Sequence, residues 1–536
     1  MTSSTRWQRV SLMTAIVVLV LAFATMWLYP LAVLFWQAGR GRGGSTGDMS
    51  DLTWSTLAAA TSSACATLVG GLAALGARTI PRRHAAILDA VAFVPILFPP
   101  FVIGMAVRSG IGRAGFWPVA TAGNFSGFWP MVLTWTVAYL PLAYGASRVT
   151  LQRVGPSSVD TARVSGLNGS RLVGLIIAPL RAVSPVVFLL VFVLVLADPV
   201  VPNLVGGKTP NTAERLWLRV TAFGADAQAA RTALELMTPA LVCGVLAGVT
   251  ARRFRQSLGG RNEGELFGRR TSVSVPVGVS VWPRAMTGIV VAVVAIAVLA
   301  AMVGRAGDAL LHRRDEITIP SHVLANTVGL GLIAAIVAIL LVSLSTWVTS
   351  VLRGSRIIIF ACYVALLAVP GATLGVAYSQ AYGPHAWSHV FFLAGSSVPA
   401  SGTILIVGSY VSTAAPLVYF AMQAYPMRAA RQVWESALMF ADSRSQAFVT
   451  VIIPQIRHHA ALTLTVVVAS SSVMVAPLMW VTSPDTPVTV PRLFVLLDHA
   501  QYSVAFVISL ACALVLMILL LVTRWTLGAR RRGGRE

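Results

Sequence analysis

Charge is what this chain has least of: 11% of its 536 residues are Asp, Glu, Lys or Arg. Soluble domains carry roughly 25%, so a water-exposed globular surface is excluded for most of the length. Acid is scarcer than base, with 18 Asp and Glu against 40 Lys and Arg, and Lys208 is the sole lysine. The four cysteines, Cys65, Cys243, Cys362 and Cys512, fall inside apolar stretches at spacings that fit neither a zinc site nor a disulfide framework. They read as small hydrophobes. A complete phosphate-binding loop is also missing. Leu204-Val205-Gly206-Gly207-Lys208-Thr209 ends like one, but Pro202 stands where the pattern needs its first glycine, and no strand precedes it. The segment reads as a glycine-rich turn. No nucleophile–base pair stands out, so no catalytic residue and no cofactor is expected in this chain.

What is present is apolar length. A hydrocarbon core of about 30 Å needs about 20 apolar residues per helix. Twelve such stretches are expected, near 10–35, 52–77, 85–107, 129–147, 181–198, 232–250, 284–304, 324–351, 356–380, 402–421, 459–480 and 502–524. The first follows Arg6 and Arg9 like a signal peptide, but it is too long, and Ala38-Gly39-Arg40 is a poor cleavage site. It is expected to be a retained helix. The net charge of +22 invites a nucleic-acid reading, which its distribution opposes. With the N-terminus inside, Arg78, Arg82 and Arg83, then Arg148, Arg153 and Arg163, Arg252 to Arg270, Arg353 and Arg356, Arg428 and Arg431, and Arg530 to Arg532 all fall on the cytoplasmic side. That is the positive-inside pattern, with both termini cytoplasmic; Arg40 and Arg42 are exceptions. A multi-pass protein of the cell membrane, contacting lipid and not nucleic acid, is the expectation.

The stretches divide six and six around one long polar interruption at 251–283. Landmarks recur in order. Trp54-Ser55-Thr56-Leu57 matches Ala325-Asn326-Thr327-Val328, and Pro99 and Gly104 match Pro370 and Gly375, both 271 residues on. Asp160 and Pro179 match Glu435 and Pro454 at 275, and Arg215-Leu216-Trp217 matches Arg492-Leu493-Phe494 at 277. The expected fold is therefore an all-α polytopic membrane protein, about twelve helices in two parallel-repeat six-helix bundles. Its parts are a first half at 1–250, a linker at 251–283, a second half at 284–524 and a basic cytoplasmic tail at 525–536. Parallel repeats share an axis along the membrane normal and usually place the substrate path between them. The first helix of each half is expected at the periphery.

The most specific signal lies between the fourth and fifth stretches of each half. One copy reads Asp160-Thr161-Ala162-Arg163-Val164-Ser165-Gly166, then twelve residues, then Pro179; the other reads Glu435-Ser436-Ala437-Leu438-Met439-Phe440-Ala441, twelve residues, then Pro454. An acid begins a short helix, where its dipole favours a carboxylate. Small residues allow close approach of another surface, Gly166 can turn the chain, and proline resets it for the next span. The product is a helix–turn–helix suited to docking in a groove. It resembles the EAA loop of ABC importer permeases, whose pattern is Glu-Ala-Ala, three residues, Gly, and a later Ile-x-Leu-Pro. The resemblance covers both halves. It implies that Asp160, Ala162, Gly166 and Pro179, and Glu435, Ala437, Ala441 and Pro454, form two docking loops for ATP-binding subunits. The chain departs from the pattern at Asp160, Thr161, Ser436 and Ala441; alanine resists φ > 0, so Asp442 is the residue expected to supply the second turn. Ala197-Asp198-Pro199 followed by Asn203 to Gly207 also looks like a signature of ferric-iron permeases, which are commonly fused doubles.

The other candidates have bland alternatives. Asp198 closes the fifth stretch, where it can meet a cationic substrate, lock a helix pair shut or simply be solvated. Glu235 is a weaker candidate of the same kind. Pro99, Pro100 and Gly104, with Pro370, Gly371 and Gly375, interrupt the third and ninth stretches, either as a pathway element or as packing kinks. His385 and His389 have zinc-like spacing but no third ligand, and His458-His459 reads as a polar helix start, so no metal site is expected. The resemblance implies a permease subunit and not an enzyme, with ATP hydrolysis on a separate subunit. Two ATPase copies inside and a substrate-binding protein outside are implied, with one copy of this chain per complex. Ferric iron is the favoured cargo; thiamine, phosphonate and polyamine are the relatives' other cargoes. The rival is a twelve-helix secondary transporter of the major facilitator type. It would carry an acidic Gly/Arg signature where this chain reads Gly76-Ala77-Arg78-Thr79-Ile80-Pro81-Arg82-Arg83. A membrane-embedded sugar transferase would need outer-loop acids and a large outer domain.

Overall fold

The computed structural model describes residues 3–40, 49–110, 125–151, 154, 156–167, 169–224, 227–258, 282–312, 321–352, 354–383, 400–424, 439, 444–447, 450, 464, 467–482 and 486–532. Among them every regular element is helical. The first part comprises α1 (Ser3–Phe23), a π turn (Ala24–Leu28), α2 (Tyr29–Arg40), α3 (Met49–Thr79) and α4 (Arg82–Phe93) with its 3-10 extension (Val94–Leu97). It continues through α5 (Pro100–Gly110), α6 (Phe128–Leu151), α7 (Pro156–Val164), α8 (Gly169–Ile177), α9 (Leu180–Leu196), α10 (Val200–Val205), α11 (Thr212–Phe223) and α12 (Ala227–Leu258). The second part comprises α13 (Trp282–His312), α14 (Ser321–Val351), α15 (Ser355–Leu367), α16 (Gly371–Tyr382), α17 (Ala400–Ala424), α18 (Arg444–Ala447), α19 (Leu478–Val481), α20 (Thr489–Asp498) and α21 (Tyr502–Arg532).

Among the described residues, six helices are long and apolar enough to cross a membrane, and up to eight if each of two bent pairs is one span. The twelve expected stretches map onto these unequally. The third and ninth are not straight: Arg83–Leu97 and Pro100–Gly110 meet at 105°, and Ser355–Leu367 and Gly371–Tyr382 at 96°. Phe98 is extended at the first break and Pro370 at the second. Proline has no N–H to continue the ladder and forces its predecessor out of the helical region. The fifth stretch is a shorter apolar helix, Val183–Leu196. Among its described residues the eleventh is helical at 464 and 467–473, leaves the helix at 474–477 and resumes in α19 at 478.

The first span does lie at the rim, with 17% of its most apolar window buried. What it packs against is the second part: α1 lies on α14, and α2 on α16 as well as α12. The arm at the start of the second part reciprocates, since α13 lies on α3, α4, α5 and α21. The π turn anchors the first arm. A π turn carries its hydrogen bonds one residue further than an α turn and so re-aims local carbonyls. Here Thr25 O accepts the Tyr382 hydroxyl at 2.5 Å and Met26 O the Tyr378 hydroxyl at 3.0 Å, while the Trp27 indole donates to Ser412 O at 3.3 Å. Burying a hydroxyl without a partner is costly, so these three bonds select the seat of the arm on α16 and α17.

Three indoles mark one end of the bundle. Trp36 (38% exposed) is near the C-terminus of α2, and Trp54 (42%) and Trp129 (69%) are near the N-termini of α3 and α6. Amphipathic rings of this kind favour a membrane–water interface. Phe128 bridges Trp54 and Trp129 by edge-on contacts, with centroids 5.9 and 5.3 Å away. The Arg40 guanidinium lies 3.6 Å over the Trp36 ring, so a cation that departs from the positive-inside pattern has an aromatic partner.

Candidate functional site

At the opposite end from these indoles, α7 and α8 form the expected helix–turn–helix. Its turn follows from local chemistry. Gly166 has φ +81 and a Cβ there would meet nothing within 4 Å, so glycine is needed for backbone conformation and not for space. Leu167 N donates to Ala162 O and Gly166 N to Arg163 O, both at 2.9 Å. That is the paired bonding of a Schellman end. Asp160 and Gly166 are exposed, whereas Ala162 is buried, so the carboxylate faces outward and the alanine inward. Pro179 precedes the first residue of α9 and serves as its N-cap.

The loop has its own small core. Val159 and Ala162 of α7 and Leu172 and Ile176 of α8 pack with Ala73, Ala74 and Ala77 of α3, Leu88 and Ala92 of α4, and Leu140, Tyr144 and Leu151 of α6. Polar bonds surround it. The Arg78 guanidinium donates to Leu151 O, and to Val154 O at 2.6 Å. Asp89 accepts from the Tyr144 hydroxyl and pairs with Arg148, whose Nε lies 3.1 Å from Oδ1. In the sequence Arg78 and Arg148 are visible only as positive-inside charges, and Asp89 carries no signal beyond being an acid on the helix that opens with Arg82 and Arg83. Glu435, Ala437, Ala441 and Pro454, with Asp442, lie outside the described residues, as do His385, His389, His458 and His459.

Toward the other end, Asp198 is 3% exposed, and its carboxylate is fully engaged. The Trp135 indole donates to Oδ2 at 2.9 Å, and Val200 N and Val201 N donate to Oδ1 at 2.9 and 3.3 Å. The acid thus satisfies two otherwise orphaned amides at the start of α10 and ties that helix to α6. Pro99 O caps α5 by accepting from Val102 N at 3.0 Å. Pro100 and Gly104 are buried in α5, and a Cβ on Gly104 would lie 3.3 Å from Thr134 Cγ2 and 3.7 Å from Leu204 Cδ2. Pro370 is also buried and caps α16; a Cβ on Gly375 would lie 2.7 Å from the Trp480 ring and 3.0 Å from Pro477 Cα. The two crossings are built alike, the second more tightly. Of the stretch 204–209, Leu204 and Val205 end α10 and the chain turns just after them, with Gly207 at φ +61 and Thr209 N donating to Gly206 O at 3.0 Å.

Two further details were illegible in the sequence. Ser55 Oγ accepts Thr212 N at 2.8 Å and donates to Asp51 O. Thr327 Oγ1 accepts Thr489 N, also at 2.8 Å, and donates to Val323 O. The same clasp, long helix to short helix, occurs twice. It matches Ser55 with Thr327, 272 positions on, where alignment of the landmarks put 271. The second detail is that Trp217 of α11 and Phe494 of α20, which hold matching places in the landmarks, touch edge-on with centroids 4.9 Å apart.

The chain is similar to a protein of Haemophilus influenzae named "Putative ferric transport system permease protein FbpB 1", with 30% identity over 174 residues. The match takes in 31% of this chain and spans only 28% of that relative's length. No family model and no solved structure match the chain.

Proposed function

We propose that this chain is the membrane-spanning permease subunit of an ATP-driven importer of the ABC type. It would lie in the cell membrane with both termini cytoplasmic and cross it twelve times in two parallel six-helix repeats, 1–250 and 284–524, joined through 251–283. One copy would meet two ATPase subunits through the loops around Asp160 and Glu435 and receive cargo from an external binding protein. Hydrolysis belongs to the ATPases; this chain supplies the path. The observation that carries the reading is the loop at 156–179: a Schellman-turned helix pair with an outward acid, seated on the ends of α3, α4 and α6. The doubled Ser55–Thr212 and Thr327–Thr489 clasp supports a duplicated half. Ferric iron is the favoured cargo, from the name of the similar protein; thiamine, phosphonate or polyamine are the other cargoes the resemblance allows.

In this mechanism ATP-driven approach of the two ATPases draws the docking loops together. The bundles turn about the Trp217–Phe494 line, and the cavity opens to the loaded binding protein. ATP and binding protein shift the balance only as far as they bind one conformer better than the other. The lining of the path would come from the crossings at Pro99, Pro100 and Gly104 and at Pro370 and Gly375, with Asp198 holding α10 beside it. The test is the double variant Asp160→Arg/Glu435→Arg. The expected outcome is a chain that inserts normally but no longer retains an ATPase on purification from its native membrane. Full retention and normal uptake of ferric iron by that variant would count against the docking role.

A further inference from the structure

Arg78 sits on the last turn of α3 and reaches out of its own helix. Its guanidinium donates to Leu151 O, the last residue of α6, and to Val154 O, two residues before α7 begins. One planar side chain therefore binds two carbonyls of the segment that leads from the membrane bundle into the docking loop. Guanidinium is suited to this because its donors are fixed in a fork; an ammonium is a point charge on a flexible stem. Behind it, Asp89 of α4 fixes Arg148 and Tyr144 on α6. With α7 seated on the same helix ends, a displacement of the loop is carried into α3 and α6 without slack at the turn.

At the matching place on α14, the described residues of the second part carry a serine. The clasp residues set the local offset at 272, which puts Ser350 opposite Arg78, and α14 ends at Val351 as α3 ends at Thr79. The Ser350 hydroxyl donates to Trp347 O of its own helix at 2.7 Å. At the repeat's other offsets, Phe360 stands for Asp89 and Gln423 for Arg148, while Tyr419 stands for Tyr144. Tyr419 stacks on Tyr363 with centroids 4.2 Å apart and interplanar angle 14°.

We propose that Arg78 is a positioning residue for energy coupling: it ties the first docking loop to the membrane bundle. The inference rests on the importer reading. The test isolates tagged wild type, Arg78→Ala, Arg78→Lys and Ser350→Ala chains from their native membrane. It measures ATPase subunit retained, ATP hydrolysed, and ferric iron taken up by the same cells. Arg78→Ala is expected to keep its ATPase but to raise the ATP spent per iron roughly tenfold, a shift of 1.4 kcal/mol in coupling. Arg78→Lys should recover part of that ratio, and Ser350→Ala should leave it unchanged. Loss by misfolding alone would lower uptake and hydrolysis together and leave the ratio at its wild-type value, which overturns the proposal. An unchanged ratio with full uptake overturns it as well. A wild-type chain that retains no ATPase sinks the importer reading instead, a separate result.

Discussion

Adding one methyl group at Gly70 should damage this protein, and adding it at Gly71 should not. Gly70 lies where α3 crosses α6 most closely. A Cβ there would fall 2.7 Å from Ala143 Cβ, 2.7 Å from Tyr144 N and 2.9 Å from Ala143 C. Carbon contacts are optimal at about 3.5–4.0 Å, so the shortfall is roughly 1 Å. None of the three atoms is the end of a flexible side chain, so the helices themselves must part. Small residues at membrane-helix crossings exist to allow this approach. At Gly71 the nearest atom to a new Cβ is Ser147 Oγ at 3.8 Å, ordinary contact. Both substitutions gain helix propensity, about 1 kcal/mol each, so the difference between them isolates packing. Overpacking typically costs about 1–3 kcal/mol, and that is the expected gap in equilibrium unfolding of the two variants in one detergent. Ala143→Gly should rescue Gly70→Ala in part, because it removes one of the close contacts and leaves Tyr144 N. Equal stability of the two single variants, or no rescue, would refute the close crossing.

Two other outcomes follow from the same geometry. Gly375→Ala should lower the thermal midpoint and uptake, because its Cβ would meet the Trp480 ring and the Pro477 backbone, at a cost of about 1–3 kcal/mol; Gly104→Ala, facing a movable Thr134 methyl at 3.3 Å, should cost less than half as much. Trp135→Phe should leave Asp198 Oδ2 without its indole donor, and a bond to a charged acceptor is worth about 1.5–3 kcal/mol. A double-mutant cycle with Asp198→Asn in detergent unfolding would return no coupling energy if that bond were unimportant.

How much of this could be read from the chain alone depended on the range of the interaction. Apolar length reports the spans because the bilayer is a bulk solvent, and proline reports the breaks at 98–100 and 368–370 because its effect is confined to its neighbours. Gly166 was legible for the same reason: the turn needs φ > 0 at a single residue. The sharpness of the bends was not, since 105° and 96° depend on what fills the crook, namely Thr134 and Leu204 in one and Pro477 and Trp480 in the other. The partnerships of Asp198 with Trp135, 63 residues apart, and of Arg78 with Val154, 76 apart, have no local signature. Hydropathy sees a tryptophan and an arginine there and nothing of their donors.

The proposed duplication would account for both the success and the failure. Comparing two halves of one chain filters out whatever is peculiar to either, so shared crossings and clasps emerge while unilateral features vanish. Asp51 shows the effect: it forms an ion pair with Arg215 in the first half, yet the matching positions are Val323 and Arg492. Arg492 is exposed on α20, and Val323 stands where the acid would be. Removing Asp51 would strand Arg215 in a partly buried site, with a side chain 35% exposed. Among the described residues, these matched places keep the hydroxyl clasp and not the ion pair, so a comparison of the two parts finds the clasp and misses the pair.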